Sequence, residues 1–89
     1  MSHETYINHP NFGLLFRVAS LDENQELFTT LYAQRLFFLV INSPAGIKFE
    51  PISRSDAKLM VEHRLRWLRR NGKSIEQEQL NSIYQRTFH

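Results

Sequence analysis

The sequence predicts an α+β fold that is mainly β: a small antiparallel β-barrel followed by a C-terminal pair of helices. Apolar and other residues alternate with a period of two over much of the first 52 residues, as in strands with one buried face. From residue 53 onward, apolar residues recur every three or four positions, as on one side of a helix. We therefore predict a barrel over residues 1–52 and a helical hairpin over residues 53–89.

Three of the predicted strands lie before residue 33. A short leading strand is expected over residues 4–8, and a longer one over residues 12–19, where large apolar residues occupy every second position. The polar residues 22–25 predict a turn, after which residues 27–32 resume a β-rich alternation. Consecutive strands that are joined by short turns usually lie beside each other.

The next predicted strand, residues 36–41, has no polar residue, as expected for a central strand covered on both faces. Residues 42–46 include a proline and a glycine and predict a hairpin loop. The alternation returns over residues 47–50, and we expect Pro51 to end this last strand.

The helices are predicted from their capping residues and their apolar stripes. Ser53 is expected to cap the first helix with Asp56 in its first turn, and Gly72 to end it. Ser74 and Gln77 have the spacing of a capping box for the second helix. The core-facing residues of the two helices are expected to be Ala57, Met60, Val61, Leu65 and Leu68, then Leu80, Ile83, Tyr84, Thr87 and Phe88. The short break between the helices predicts an antiparallel hairpin.

The composition argues against an enzyme. There is no cysteine, no serine lies in a GxSxG elbow, and the three glycines are too dispersed to form a phosphate-binding loop. The four histidines lack the spacing of a metal site. We predict no catalytic residue, no metal site and no cofactor. The longest apolar run, residues 36–41, is far shorter than the roughly 20 residues of a membrane span, so we expect no membrane association and a cytoplasmic location.

The positive charge is concentrated in residues 54–73, where seven Arg and Lys residues outnumber two Asp and Glu residues. On a helix, Arg66, Arg69, Arg70 and Lys73 form a basic ridge, with Arg64 on its flank. Three interpretations stay open. The ridge is a solvated helix face whose late Arg residues favour the negative helix end, a surface for an acidic protein, or a nucleic-acid contact.

The segment Tyr32-Ala33-Gln34-Arg35 joins two apolar strands. Tyr and Arg are enriched at the energetically dominant positions of protein interfaces. From the residues alone, this segment is either an interface or an ordinary turn with Tyr32 lying across a barrel edge.

The order of several motifs resembles the family of PII-interacting protein X, the small cyanobacterial adaptors of nitrogen signalling. The longest matching motif is residues 30–40, which begins Thr-Leu-Tyr-Ala-Gln-Arg and ends in an apolar run. Residues 42–46 and 73–86 match less well. The other matching segments are residues 8–15, 26–28, 49–52, 64–70 and 87–88.

The resemblance implies a Tudor-like β-barrel followed by two helices. It also implies a module that binds the PII trimer when 2-oxoglutarate is scarce, and the NtcA dimer, as a transcription coactivator, when 2-oxoglutarate is abundant. The helices would remain available for RNA polymerase or another transcription regulator, and the free chain would be a monomer. The implied partner-binding residues of the barrel are Glu4, Tyr6, Phe12, Tyr32, Gln34, Arg35, Leu36 and Phe38.

We therefore expect a non-enzymatic adaptor with no ATP or 2-oxoglutarate site and no direct contact with nucleic acid. The main alternative is a small basic nucleic-acid-binding protein that uses the region Arg64 to Lys73, and it predicts binding that weakens steeply with salt. A structural subunit of a larger assembly is a further alternative, which would require a constitutive partner.

Overall fold

The computed structural model describes residues 6–31 and 36–88. The described strands form one antiparallel sheet in which each strand pairs with its neighbour in sequence. The predicted α+β, mainly β fold is confirmed, with the sheet curled into a half-barrel and followed by two helices. The closer likeness to a Tudor domain stays a prediction. The elements are β1 Tyr6–His9, β2 Gly13–Ser20, β3 Gln25–Thr30, β4 Phe37–Ser43, β5 Gly46–Ile52, α1 Arg54–Arg70 and α2 Ser74–Thr87.

Two details of the last hairpin differ from the prediction. The predicted loop at residues 42–46 is a two-residue turn of Pro44 and Ala45, because Ser43 already pairs with Gly46. The Ser43 hydroxyl strengthens this pairing by donating to the Gly46 carbonyl at 3.0 Å. Pro51 does not end β5 but pairs with Phe38. Among the described strands, β5 lies at the edge of the sheet and pairs with β4 on one side only, and the missing N–H of proline is tolerated on the other side.

The first helix has both predicted ends. The Ser53 hydroxyl accepts a hydrogen bond from the Asp56 N–H at 3.0 Å, so the predicted N-cap is confirmed. At the other end, Gly72 adopts a φ of 69°, and the Lys73 N–H donates to the Leu68 carbonyl at 2.9 Å. This bond is the long-range bond of a Schellman motif, which glycine permits because it has no Cβ.

The predicted capping box of the second helix is wrong. Ser74 is the first residue of α2, and Lys73 precedes it as the N-cap without a side-chain hydrogen bond. The Schellman motif explains the shift, because it already engages the Lys73 N–H and leads the chain directly into α2.

The two helices run antiparallel, as predicted. The guanidinium of Arg54, at the start of α1, donates to the carbonyl of Thr87, at the end of α2, at 3.0 Å. Midway along, the Tyr84 hydroxyl donates to a Glu62 carboxylate oxygen. No helix in the described part of the chain is long and apolar enough to cross a membrane.

Two apolar clusters lie on opposite faces of the sheet. The first, called here the helix-side cluster, joins the sheet to both helices and comprises Val18, Ala19, Leu27, Phe37, Ala57, Val61, Leu68, Leu80 and Phe88. The second, called here the concave cluster, comprises Leu15, Phe28, Phe38 and Val40, with Ile7 and Phe49 packed against it. Phe37 and Phe38 are neighbours on β4 and enter different clusters, which agrees with the predicted strand that is apolar on both faces. The predicted division at residues 1–52 and 53–89 stays a prediction.

The face that carries the second cluster is concave because the two edge strands approach each other on that side. The rings of His9 on β1 and Phe49 on β5 have centroids 5.2 Å apart. In a flat five-stranded sheet, the two edge strands would be about 19 Å apart. A shift of register between Arg17 and Ala19 adds to the irregular shape of β2 and brings Val18 and Ala19 into the same cluster.

Candidate protein-binding surface

Aromatic rings close one end of the concave face. Phe12, in the turn between β1 and β2, lies over Phe38 with ring centroids 5.2 Å apart. His9 contacts both rings, with centroid distances of 5.0 Å to Phe12 and 5.9 Å to Phe38, and Phe49 approaches it from the side. His9, Phe12 and Phe38 each contact two or more of the other rings, and Phe49 contacts His9. The result is a layered set of rings, called here the ring cluster: His9, Phe12, Phe38 and Phe49.

The local sequence explains how Phe12 comes to lie over the sheet. His9 and Gly13 face each other at the end of the β1–β2 hairpin, and Gly13 has a φ of 75°. Glycine adopts this left-handed conformation without the steric cost of a Cβ. The Asn11 N–H donates to Nδ1 of His9 at 3.1 Å, so the imidazole also supports the turn that carries Phe12.

The ring cluster is buried where it meets the sheet and exposed on its solvent side. Phe38 is 3 % exposed, whereas Phe12, directly over it, is 45 % exposed. Leu36 is also about half exposed, and its carbonyl accepts hydrogen bonds from the Thr29 hydroxyl and the Thr30 N–H. Leu36 precedes Phe38 by two positions along this extended backbone, so the two side chains share a face. The concave face thus presents large apolar side chains to solvent on a well-packed base.

Tyr6 lies on the helix side of the sheet, opposite to the concave face. It pairs with Phe16, and the two rings have centroids 5.8 Å apart. Phe16 in turn pairs with Thr29, which pairs with Phe37 of the helix-side cluster. The structure therefore brings Phe12 and Phe38 into contact, with Leu36 on the same face of the sheet, whereas Tyr6 lies on the opposite face. Because β1 is an edge strand, a partner would have to wrap around this edge to contact both faces.

Four of the predicted partner-binding residues lie outside the described residues: Glu4, Tyr32, Gln34 and Arg35. Leu31 and Leu36, the described residues on either side of residues 32–35, are held by backbone hydrogen bonds. The Leu31 N–H donates to the Leu14 carbonyl at 3.0 Å, and Leu36 accepts from β3 as described above. The partner-binding role of all eight predicted residues stays a prediction.

Pattern analysis missed two features of the concave face. His9 contacts three aromatic rings, a role that the sequence analysis did not assign to it. Its position two residues after Ile7, on the same face of β1, is the signal that could have shown this. The second feature is an ion pair at 3.1 Å between Arg17 and the buried carboxylate of Glu26. Both residues share a face with the concave cluster, so this charged pair lies on the same side of the sheet.

The basic ridge is exposed, as its spacing predicts. Its members Arg66, Arg69 and Arg70 lie on α1, and Lys73 follows the helix. Arg64 is separate from the ridge, because its guanidinium donates to the Leu21 carbonyl at 3.3 Å and lies over the Trp67 ring at 4.3 Å. The binding role of the ridge stays a prediction. In the described residues 6–31 and 36–88, no three His, Asp or Glu side chains group to hold a metal ion.

Comparison with known proteins adds one finding to this geometry. A family model described as PII-interacting protein X matches residues 3–88 of the chain. A search of curated proteins gives no match. The family match includes both the sheet with its ring cluster and the two helices.

Proposed function

The chain belongs to the PII-interacting protein X family, and from this premise we propose that it is a non-enzymatic adaptor whose concave face binds its partners. In this proposal it binds the PII trimer when 2-oxoglutarate is scarce. When 2-oxoglutarate is abundant it binds the NtcA dimer and acts as a transcription coactivator. Its cytoplasmic location and its monomeric free state stay predictions.

The observation that supports this surface most strongly is the exposure of Phe12 above a buried ring. Phe12 is 45 % exposed and lies on Phe38, which is 3 % exposed and packed in the concave cluster. An aromatic side chain that is already held by its neighbours loses little conformational freedom when a partner covers it. Large aromatic side chains in well-packed, desolvated positions account for much of the free energy of protein association.

A single surface also accounts for the switch between partners. If PII and NtcA both cover the ring cluster, they compete, and the chain needs no effector site of its own. An effector that weakens the PII complex by about 1.4 kcal/mol lowers its affinity tenfold and releases the chain for NtcA. We therefore propose that ATP and 2-oxoglutarate act on PII. Saturable binding of either compound to the isolated chain would contradict this part of the proposal.

The test is binding of the purified chain to immobilised PII, first with ADP and then with ATP plus 2-oxoglutarate. We expect saturable binding with ADP and a large loss of binding with ATP plus 2-oxoglutarate. Absence of binding under both conditions would contradict the proposal. Equal binding under both conditions would support a constitutive complex instead of a switch.

A second arm tests competition directly. Soluble NtcA with 2-oxoglutarate is added to the chain while it is bound to PII, and the remaining PII complex is measured. We expect NtcA to displace the chain from PII in proportion to its concentration. A stable ternary complex of PII, the chain and NtcA would show that the two partners use different surfaces.

The exposed basic ridge favours one other candidate, a nucleic-acid contact, and this candidate has its own test. Titration of a labelled DNA duplex into the chain at low and high salt would give a steep decrease in affinity if the ridge neutralises phosphates. Substitution of Arg66 and Arg70 by Gln would reduce that dependence. Under the adaptor proposal, the same two substitutions leave PII binding unchanged, and the helices are available for RNA polymerase or another regulator.

A further inference from the structure

A groove of about 830 Å³ lies between α1 and the turn that joins β2 to β3. Its base is formed by one side of α1, which contributes Leu59, Met60, His63 and Trp67. The turn forms the facing wall and contributes Asp22 and Glu23. None of these residues belongs to the concave cluster or the ring cluster, so the groove is separate from the surface described above.

The groove is preformed because hydrogen bonds fix its wall. The Leu21 and Asp22 N–H groups donate to the Gln25 carbonyl at 2.9 and 3.2 Å, and the Asp22 carboxylate accepts from the Asn24 N–H at 2.7 Å. Arg64 then ties the wall to the helix through its bond to the Leu21 carbonyl. A site that is ordered before binding avoids part of the entropy cost of association.

The helix carries more apolar surface than its core contacts require. Its buried residues are Ala57, Val61 and Leu68, which face the helix-side cluster. Leu59 is nevertheless 60 % exposed and Trp67 is 41 % exposed, and both line the groove. The two are eight positions apart, with His63 midway between them, so they lie along one side of the helix. The Arg64 guanidinium lies over the Trp67 ring and helps to hold the indole in place.

The charges on the two sides of this apolar strip are opposite. On one side is the wall, where Asp22 and Glu23 are exposed. Arg64, whose guanidinium contacts this wall, lies on the same side, about 60° around the helix from Trp67. Arg70 lies about 60° from Trp67 in the other direction, and Arg66 about 100°. The groove therefore has an acidic wall along the turn and an apolar base, and Arg66 and Arg70 of the ridge lie on α1 beside that base, outside the groove lining.

We propose that this groove binds an amphipathic helix of a partner protein. The helix places its apolar stripe against Leu59, Met60 and Trp67, its Lys or Arg residues along Asp22 and Glu23, and its Asp or Glu residues along the basic ridge. An apolar helix face in a hydrophobic groove is a recurring mode of peptide recognition, and complementary charges set its orientation. The proposal does not rest on the adaptor function, because the concave face takes no part in it.

The experiment uses the full chain and Trp67, which is the single tryptophan of the sequence and reports on the groove through its fluorescence. The probe is a Trp-free helical peptide of about 18 residues, which spans about five turns. It carries a leucine stripe, with lysines along one edge and glutamates along the other. Two matched peptides carry either lysines or glutamates along both edges. We expect a saturable change in Trp67 emission with the mixed peptide, and binding about tenfold weaker for each uniform peptide.

Variants locate the binding site through the anisotropy of a labelled mixed peptide. Trp67→Ala and Leu59→Ala should each weaken binding about tenfold or more, since each removes part of the apolar base. Glu23→Lys should weaken it by reversing one charge on the acidic wall. Ile75→Ala is the matched control, because Ile75 is 72 % exposed on α2 and does not line the groove. Far-UV circular dichroism confirms that each variant is folded.

Two binding results would overturn the proposal, and one result with the control variant would overturn the location of the site. One is a dissociation constant for the mixed peptide that is weaker than about 1 mM. The other is tight binding of the all-glutamate peptide that Trp67→Ala and Leu59→Ala leave unchanged, which would assign the binding to the ridge as a general polyanion surface. Equal loss of binding in Ile75→Ala would also contradict the assignment of the site.

Discussion

The helix-side cluster and the concave cluster use neighbouring residues of the same strand, yet they are covered in different ways. Phe37 is covered by Phe88, the residue that follows α2, and the two rings stack with centroids 5.3 Å apart. Among the residues that the structure describes, the rings of Phe12 and His9 lie over Phe38, and Phe12 itself is 45 % exposed. One face of the sheet is therefore covered by the helices, while the concave face exposes apolar side chains to solvent. Under the proposed function, the helix-covered face contributes most of the stability and the concave face binds the partner.

The largest expected effect is a loss of stability when a residue of the helix-side cluster is replaced. Phe37→Ala should lower the free energy of unfolding by about 3–5 kcal/mol, because it removes a buried ring from the junction of sheet and helices. Urea unfolding followed by circular dichroism measures it. Phe12→Ala is the matched control and should cost about 1 kcal/mol or less, since its ring is half exposed. Equal losses in the two variants would remove the distinction between the faces.

The next largest expected effect is a loss of PII binding when an exposed residue of the concave face is replaced. Phe12→Ala should weaken PII binding by about 1–3 kcal/mol, which corresponds to roughly five- to 150-fold, because it removes the exposed ring. Binding to immobilised PII with ADP measures it. Ile75→Ala removes an exposed apolar side chain from α2 and should leave the affinity unchanged. A folded Phe12→Ala variant that binds PII normally would show that the ring cluster is not part of the interface.

A substitution with a smaller expected effect tests whether the stability of the helices influences PII binding by the concave face. Ser53→Ala removes the oxygen that accepts from the Asp56 N–H and should cost about 1 kcal/mol of stability. Because the cap lies on the helix side, the affinity for PII should not change. Thermal or urea unfolding measures the first quantity, and PII binding the second. Loss of PII affinity in this variant, at a temperature where it is fully folded, would show that the two faces are coupled.

The smallest effect is confined to alkaline pH. The hydrogen bond from Tyr84 to Glu62, together with burial and the negative charge of that carboxylate, raises the pKa of Tyr84 above its usual value of 10.0. The phenol therefore contributes stability that is fully present below about pH 10 and is lost as the pH rises through the folded-state pKa. Tyr84→Phe should lack this part of the pH dependence. Unfolding curves of both proteins at several alkaline pH values measure the difference, and parallel pH profiles would contradict the assignment.

Local patterns in the sequence predicted much of the helix-side architecture. The period of the apolar residues indicated both helices, and Ser53 and Gly72 marked the ends of the first because each satisfies a local backbone requirement. The helix α2 begins one residue earlier than predicted, because the Lys73 N–H takes part in the Schellman motif at the end of α1. That bond, from Lys73 to Leu68, is not part of a capping pattern.

The candidate site was harder to predict, because it depends on the curl of the sheet. His9 and Phe49 lie at opposite edges of the strand order, and only the approach of these edges brings their rings together. Similarly, alternation alone does not reveal that Tyr6 and Phe12 lie on different faces of the first hairpin, since Phe12 is in the turn and outside the strand pattern. The groove beside Trp67 was also not predicted, because its wall and its base are more than thirty residues apart in the sequence.

The most direct test of the central claim is hydroxyl-radical footprinting of the chain, free and bound to PII, because it reports the solvent exposure of individual side chains. Phe12 and Leu36 report on the concave face, and Leu59 and Trp67 report on the groove; all four are exposed in the free chain. We expect PII to protect Phe12 and Leu36 strongly while Leu59 and Trp67 keep their reactivity. Protection of Leu59 and Trp67 with unchanged reactivity of Phe12 and Leu36 would contradict the account and place the PII interface on the helices.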